Sequence, residues 1–530
     1  MTIAEYIASK LFERGVRFVF GIPGGPSIPL IEALRAAGIE FILTSNEASA
    51  GIMADVSGRM TGIPGVCHST FGPGATNIAT GVGGAFLDRS PVIVFTSEMD
   101  DSMINRITQM NINHQKLFEP ITKATYRLSP TNYAGVMESA LALCCDGYPG
   151  PVHIGLPSDI CDKEAGEISA TGYRTEIVNN TNNIQKVLSL LENSRHPLIA
   201  VGLTAARLEI GTALISYLSD FRMPVVITPM AKGLIPETHP CYAGVLFHSL
   251  SDYLEDIFEK TDLVIGLGYD PVEFNYESWL PDVPLVHFDI RTTDILPGRN
   301  SVEYSGPPEE WFRILRNLNM GALIFDSSVI TGIRDEMMSV FNGFTNHFGP
   351  SAVLKILREE LPRNVFVTAD VGSHLHLIGQ FWQTYGHGKL LMSNGWSGMG
   401  FGLPAALAAQ LTSRESTVVC LTGDGGFLMN AGEMITARRY NLPVIVIVFS
   451  DGELNLIKVK QSWKNLSPYG TLLYQDDLFG SGIFLGVKVL RADSHTSMRK
   501  SIIEALGENE PVIINAVIDP EEYRWLIVKR

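Results

Sequence analysis

The sequence predicts an α/β protein built of three doubly wound, parallel-sheet domains. Short Val- and Ile-rich runs of strand length alternate with longer helical patterns along the chain. Many of these runs end in glycine-containing turns, and the 50 glycines suit a fold with many strand-to-helix turns. At 530 residues the chain is too long for one core, so two to four domains are expected.

Residues 1–165 read as the first domain. The amphipathic segment MTIAEYIASKLFERGV opens it as a helix. Phe18-Val19-Phe20 is the first strand, and Gly21-Ile22-Pro23-Gly24-Gly25 turns into a helix through Leu34. Phe41-Ile42-Leu43 runs into Thr44-Ser45-Asn46-Glu47-Ala48-Ser49-Ala50, the start of a helix rich in small residues. Val66-Cys67, Pro91 to Phe95 and Pro151 to Ile154 are further strands; His68 to Asn77 between the first two is a glycine-rich turn into a helix. Residues 166–185 read as a linker. Residues 186–320 form a second α/β unit, with strands at Leu198–Val201, Val225–Ile227, Leu263–Gly266 and Leu285–His287. The acidic, polar stretch from Gly306 to Glu310 leads towards the next boundary.

Residues 345–530 form the third domain, and residues 416–453 are its clearest unit. An apolar run, Thr417 to Thr422, enters the turn Gly423-Asp424-Gly425-Gly426. A helical pattern from Asn430 to Tyr440 follows, and a second run, Val444 to Phe449, ends at Ser450-Asp451-Gly452. A right-handed crossover places the two strands side by side. Asp424 and Asp451 then stand just past the carboxyl ends of parallel strands, where open α/β sheets bind ligands. Two carboxylates there suit Mg2+, which is typically held by carboxylates, phosphate oxygens and water. The glycines let backbone N–H groups approach a phosphate, and the next helix offers its positive end. Asp-Gly alone is a common turn, so the argument rests on strand context at both ends.

Composition excludes other classes. The net charge of −16, without a Lys/Arg cluster, argues against a nucleic-acid surface. No apolar run is long enough to span a bilayer, and the opening helix does not read as a signal peptide. The six cysteines fit no metal spacing, and adjacent Cys144 and Cys145 are expected in the core. A cytoplasmic location is the expectation.

Gly423-Asp424-Gly425, with Asp451 where Asn is usual, resembles the thiamin diphosphate motif. The resemblance is to the family of acetolactate synthase, pyruvate oxidase and benzoylformate decarboxylase, and it covers essentially the whole chain. It implies pyrimidine-binding, central and diphosphate-binding domains in that order. Asp424, Asp451 and the carbonyl of Glu453 would be the metal ligands, Asp451 adding a negative charge beside the ion. Glu47, read alone, is a helix-start acid that favours the dipole; by resemblance it hydrogen-bonds the cofactor's aminopyrimidine. A carboxyl group in an apolar cleft holds its proton more readily and can share it with a ring nitrogen. That promotes the imino form, which takes the proton from thiazolium C2, and the cofactor then holds the carbanion.

Ser393 to Pro404 resembles the segment that folds the cofactor, with Met399 as the apolar wedge and the carbonyl of Ser397 on the amino group. Met packs anywhere, but glycine flanks favour close approach to a ligand. By resemblance Ser373 and His374, in Asp370-Val371-Gly372-Ser373-His374, contact the diphosphate; either could instead be a helix-start residue. His68 matches the catalytic His of benzoylformate decarboxylase, whose second His has no match near Tyr269 to Tyr276. The His-His pair of pyruvate decarboxylases is replaced by Asn113-His114-Gln115, and His114 and Gln115 fall where carboligases face the reacting carbonyl. Phe71 is bulkier than the small residue usual before Gly-Pro-Gly. Pro120-Ile121-Thr122-Lys123 and Lys232 to Pro236 look more like the synthase branch.

The resemblance therefore implies decarboxylation of a 2-oxo acid followed by ligation to a second carbonyl compound. The alternatives are a decarboxylase releasing an aldehyde, with His68 as acid–base, and a non-catalytic cofactor-binding relative. The family places its cofactor between two chains, which implies a homodimer or homotetramer. For FAD or a coenzyme A nucleotide the sequence offers no decisive feature: Gly202-Leu203 and Gly266-Leu267-Gly268 could face a nucleotide, but a lone Gly-x-Gly is weak. Trp396, Glu453, Leu454 and Leu456 neighbour the cofactor segments and are candidates for the pocket wall.

Overall fold

The computed structural model describes residues 1–166, 183–273, 279–291, 300–319, 321, 323–475 and 477–528. Most of the expected linker, and part of the Tyr269–Tyr276 stretch, lie outside the described residues.

Three sheets organise the chain, each built from a Val/Ile-rich alternation with helical crossovers. The first holds β1 (Phe18–Gly21), β2 (Glu40–Leu43), β3 (Gly65–Ser69), β4 (Val92–Glu98), β5 (Ala124–Arg127) and β6 (Pro151–Pro157), all parallel, in the order β2-β1-β3-β4-β6-β5. The second holds β7 (Pro197–Val201), β8 (Val225–Ile227), β9 (Tyr242–Val245), β10 (Leu263–Leu267), β11 (Leu285–Asp289) and β12 (Ser301–Ser305), also parallel, in the order β12-β11-β10-β7-β8-β9. The third holds β13 (Phe366–Ala369), β14 (Leu390–Leu391), β15 (Val418–Gly423), β16 (Ile445–Ser450), β17 (Ile483–Phe484), β18 (Val487–Ala492) and β19 (Val512–Val517). Its order is β14-β13-β15-β16-β19-β18-β17, and only the β17–β18 hairpin is antiparallel.

The strands that the sequence did not show are mostly edge or half-buried elements. Ala124–Arg127 and Ser301–Ser305 are outermost strands and carry no apolar run. Tyr242–Val245 is interrupted by Gly244, beside a register shift against β8. The stretch expected to lead to a boundary, Gly306 to Glu310, instead starts the helix Pro308–Leu315, which buries Trp311 in the core of the second sheet. The glycine turns of this sheet pack on one another: a Cβ on Gly202 would sit 2.5 Å from Tyr269 Cα, and one on Gly268 would sit 2.3 Å from Ala205 N.

Two cores cross domain boundaries. The helix Glu47–Thr61 is sandwiched between Pro73–Leu87 and Gly402–Thr412, which is why it is made of small residues. A Cβ on Gly51 would lie 2.9 Å from Gly81 Cα. The helices Ser327–Phe344 and Pro350–Glu360 join the second and third sheets through Ile330, Met337, Phe341 and Leu354. The core links the site-bearing strands into one frame rather than leaving them on separate lobes.

Candidate active site

The pairing of β15 with β16, Gly423 opposite Phe449, brings the Gly423 and Ser450 turns to one edge of the third sheet. Both strands are buried almost throughout, so their apolar runs are continuous rather than alternating. A cavity of about 120 Å³ opens there, lined by both turns, by Ser373 and His374, and by Met399.

Asp424 begins the next helix. Its Oδ1 accepts from Gly425 N at 2.8 Å; its Oδ2 accepts from Gly452 N at 2.7 Å, Asp451 N at 3.1 Å and the Tyr474 hydroxyl at 2.8 Å. The expected helix from Asn430 to Tyr440 is instead two: Asp424–Asn430 and Glu433–Arg439. The break at Gly432 lets the chain close on Ser45, whose Cβ would lie 3.2 Å from a Cβ placed there. Burial, then the charge of Asp424, pushes the Asp451 carboxyl up to about 7; burial also raises Asp424. Two buried carboxylates side by side disfavour joint ionisation unless a cation lies between them. Glu453 lines the cavity, donates its N–H to Asp451 Oδ1 at 3.0 Å, and turns its side chain to Lys458. This donor set fits a hard divalent cation: carboxylate oxygens and the Glu453 carbonyl, which accepts from Asn455 N at 3.0 Å and keeps a second lone pair, with no sulfur or imidazole.

The opposite wall fits an anion. Ser373 Oγ and His374 Nε2 are buried without a hydrogen-bond partner. Burial holds the His374 imidazole near a pKa of about 3, so it is neutral, and it stacks on Phe449 at 5.4 Å. A Cβ on Gly423 would come within 3.2 Å of His374, and one on Gly425 within 3.1 Å of Met399 Cε. The glycines thus keep the floor low enough for backbone N–H groups to reach a phosphate. The oxygens of an anionic ligand would supply the partners that Ser373 and His374 lack.

Asp370, quoted above only as part of a motif, is the fastener of this wall. Its carboxylate accepts from Val371 N, Gly400 N, Gly402 N and Thr422 Oγ1 at 2.7–3.1 Å. It therefore ties the end of β13 to the Ser393–Gly402 turn and to β15. In that turn Ser397 is held at φ +51°, its Oγ donating to Asn394 O at 2.6 Å. Such a left-handed non-glycine residue presents its carbonyl in a direction ordinary turns do not. Leu454 and Leu456 line the cavity, whereas Trp396 lies against Gly83 and Gly84 of the Pro73–Leu87 helix.

The remaining candidates stand in the first domain and line no part of this cavity. Glu47 follows the N-cap Asn46, and its Oε2 accepts from Asn77 Nδ2 at 3.0 Å. Glu433, which carries no sequence signal, holds this corner: its Oε1 accepts from Ser45 N at 2.9 Å and Asn46 N at 3.1 Å. His68 is fully buried, its Nε2 2.6 Å from Ser27 Oγ, and burial lowers it to about 4. His114 is lowered to about 4 for the same reason, with Nδ1 2.8 Å from Thr96 Oγ1. Gln115 donates to Glu98 Oε1 at 2.5 Å. Glu98, His114 and His153 have metal-ligand types and spacing, but Thr96 bridges both imidazoles and Arg127 Nε binds Glu98 at 3.0 Å, so protein groups already meet their needs. Tyr474 and Asn77 were likewise invisible in sequence, because their partners are 50 and 30 residues away.

Paired carboxylates past the carboxyl ends of β15 and β16, orphaned donors suited to a phosphate and three largely parallel sheets fit a diphosphate-cofactor α/β enzyme. The family models agree. Thiamine pyrophosphate enzyme, N-terminal TPP binding domain, matches residues 1–117; the central domain matches 184–305; and the C-terminal TPP binding domain matches 370–516. The chain belongs to the thiamine pyrophosphate enzyme family, and its relatives include acetolactate synthases. It is 30% identical to a probable acetolactate synthase large subunit of Methanocaldococcus jannaschii, over 98% of this chain and 92% of the relative. It is 27% identical to the acetolactate synthase isozyme 2 large subunit of Escherichia coli (strain K12), over 100% and 97%. It is 26% identical to an acetolactate synthase of Bacillus subtilis (strain 168), over 97% and 93%.

Proposed function

We propose that this enzyme decarboxylates a 2-oxo acid and joins the remaining acyl unit to a second carbonyl compound, as the names of its relatives suggest. The observation that carries the reading is the pairing of Asp424 and Asp451 with the orphaned Ser373 and His374 across one small cavity. Asp424, Asp451 and the Glu453 carbonyl would hold Mg2+. Ser373, His374 and the Gly426 N–H, in the first turn of the Asp424–Asn430 helix, would hold the diphosphate, with Gly423 and Gly425 keeping the floor beneath it low. Met399 would keep the two rings of thiamin diphosphate folded together, with the Ser397 carbonyl on the amino group. The cofactor supplies a carbon nucleophile and a sink for the electron pair left when carbon dioxide departs.

Glu47 would exchange a proton with the pyrimidine ring. It does not line the Asp424 cavity of its own chain, which supports assembly of the site from two copies: Glu47 of one and Asp424 of the other. The aldehyde-releasing alternative needs a histidine that can gain a proton near neutral pH. His68 is buried, neutral and bound to Ser27, which favours the carboligase. Among the described residues no helix is long and apolar enough to cross a membrane.

The test is incubation with thiamin diphosphate, Mg2+ and a panel of 2-oxo acids, with and without aldehydes, followed by product masses. A coupled product is expected. Equal turnover to aldehyde with every acceptor offered would refute ligation. Glu47→Gln should lower turnover by about 10²–10⁴-fold, and a fully active Glu47→Gln variant would refute the role given to Glu47.

A further inference from the structure

A second cavity, of about 460 Å³, lies where the second and third domains meet. Its walls come from β9, the helices Ser327–Phe344 and Pro350–Glu360, and the carboxyl end of Ser373–Phe381. We infer that it binds a small organic acid, a carboxylate on an apolar body, through Arg334, Arg358 and the Tyr242 hydroxyl.

The two arginines line the cavity, yet among the described residues neither forms an ion pair with a carboxylate. Arg334 gives Nη1 to the carbonyls of Glu237, His239 and Tyr242 at 2.9–3.3 Å. Arg358 gives Nη1 and Nη2 to the carbonyls of Gln383, Leu361 and Pro362 at 2.8–3.3 Å, and stacks over Trp382 at 4.6 Å. Its Nε is buried without a partner. Burial, with the charge of Arg363 adding, lowers the Arg358 guanidinium below its ordinary range. A half-buried guanidinium that spends its hydrogens on carbonyls retains an uncancelled charge, and a planar carboxylate is its best-matched counter-ion.

Tyr242 adds an independent observation. It is 4% exposed, lines the same cavity, and its hydroxyl has no hydrogen-bond partner. A buried hydroxyl left so is costly, and a ligand oxygen would recover that cost.

The acids on the wall do not cancel the arginines. Glu237 accepts from Thr384 N and Oγ1 and faces buried Lys232 at 3.6 Å. Glu359 pairs with Arg499. Asp335 and Lys355 both line the cavity and are exposed, with opposite charges. Met337, Phe341 and Phe381 supply an apolar wall, so an extended hydrocarbon body fits better than a bare inorganic anion. Lys232 belongs to the Lys232–Pro236 turn that the cofactor chemistry does not use; its Nζ donates to Gln380 O at 3.2 Å, bracing the cavity wall.

The test is calorimetric titration of the full chain with hexanoate, with hexan-1-ol and hexylammonium as neutral and cationic controls. Methionine-methyl NMR gives the location: Met337 and Met338 line this cavity, and Met399 lines the other. Saturable hexanoate binding that shifts Met337 and Met338 but not Met399 is expected. Arg334→Gln should weaken it about 10-fold or more, and Tyr242→Phe, which removes only the orphaned hydroxyl, about 3-fold. Both arginines also hold main-chain carbonyls, so Arg334→Gln is read beside Tyr242→Phe, which breaks none of those bonds. No binding up to about 10 mM, equal binding of hexylammonium, shifts confined to Met399, or unchanged affinity in both variants would overturn the assignment.

Discussion

Replacing Glu433 by Ala tests whether the third domain positions Glu47. Glu433 is fully buried, and its Oε1 accepts from the backbone N–H groups of Ser45 and Asn46 at 2.9 and 3.1 Å, while Thr436 donates to Oε2 at 2.6 Å. Asn46 is the N-cap of the helix that Glu47 begins. Alanine removes the acceptor of two main-chain donors, each worth about 1–3 kcal/mol when left unmade. Water entering the vacated space recovers part of this, so the expected loss is about 3 kcal/mol. Gln at 433 keeps Oε1 for both N–H groups, and the Thr436 hydroxyl can turn to accept from the new amide. Chemical unfolding monitored by fluorescence, with turnover on the best 2-oxo acid, separates the cases. Glu433→Ala should unfold earlier by that amount and lose about 10-fold in turnover or more, because a misplacement of about 1 Å is costly to catalysis. Glu433→Gln should stay within about 1 kcal/mol of the parent. If both variants were equally damaged, the charge rather than the acceptor would be what matters; if neither were, the proposed link would be wrong.

Other substitutions give distinct outcomes. Asp424→Asn should abolish retention of thiamin diphosphate, measured by fluorescence titration with Mg2+ present, since the carboxylate proposed as a metal ligand is lost while Asn still accepts from Gly452 N; retention within about 3-fold of the parent would refute the proposed metal role. The Arg59 side chain is 3% exposed and pairs with Asp55 and Asp88, and Asp88 in turn accepts from Asn394 and Gly395 N at 3.3 and 3.0 Å. Arg59→Met therefore leaves buried carboxylates unpaired and should cost about 3–5 kcal/mol, read as an earlier unfolding midpoint. Glu273 is buried, and burial pushes its carboxyl up to about 8 from 4.5. A folded acid that holds its proton longer than the unfolded one binds more protons between those values, so its contribution is fullest below 4.5 and is lost as pH rises through about 8. Glu273→Gln should therefore gain stability relative to the parent by ~4 kcal/mol on moving from pH 4.5 to pH 8; parallel pH profiles would refute this.

Much of the scaffold was legible because it is local. The buried runs of β15 and β16 are near-continuous, so period and composition expose them, and the turns after them name Asp424 and Asp451 directly. Strands β5, β9 and β12 escaped because edge position and a glycine bulge dilute the apolar pattern. The helix after Asp424 was placed too late, since its start depends on Asp424 accepting from Gly425 N and its break on the approach of Gly432 to Ser45.

The sequence by itself determined the sheet class, the cofactor turns and the family motif, because each depends on residues within a few positions of one another. Only the tertiary structure decided what those turns lean on. Asp370 fastens the Ser393–Gly402 turn, Glu433 reaches back 388 residues to Ser45, and Ser373 and His374 face a cavity without partners. Buried polar groups find their partners through space, and nothing in chain order encodes which distant donor will meet which acceptor.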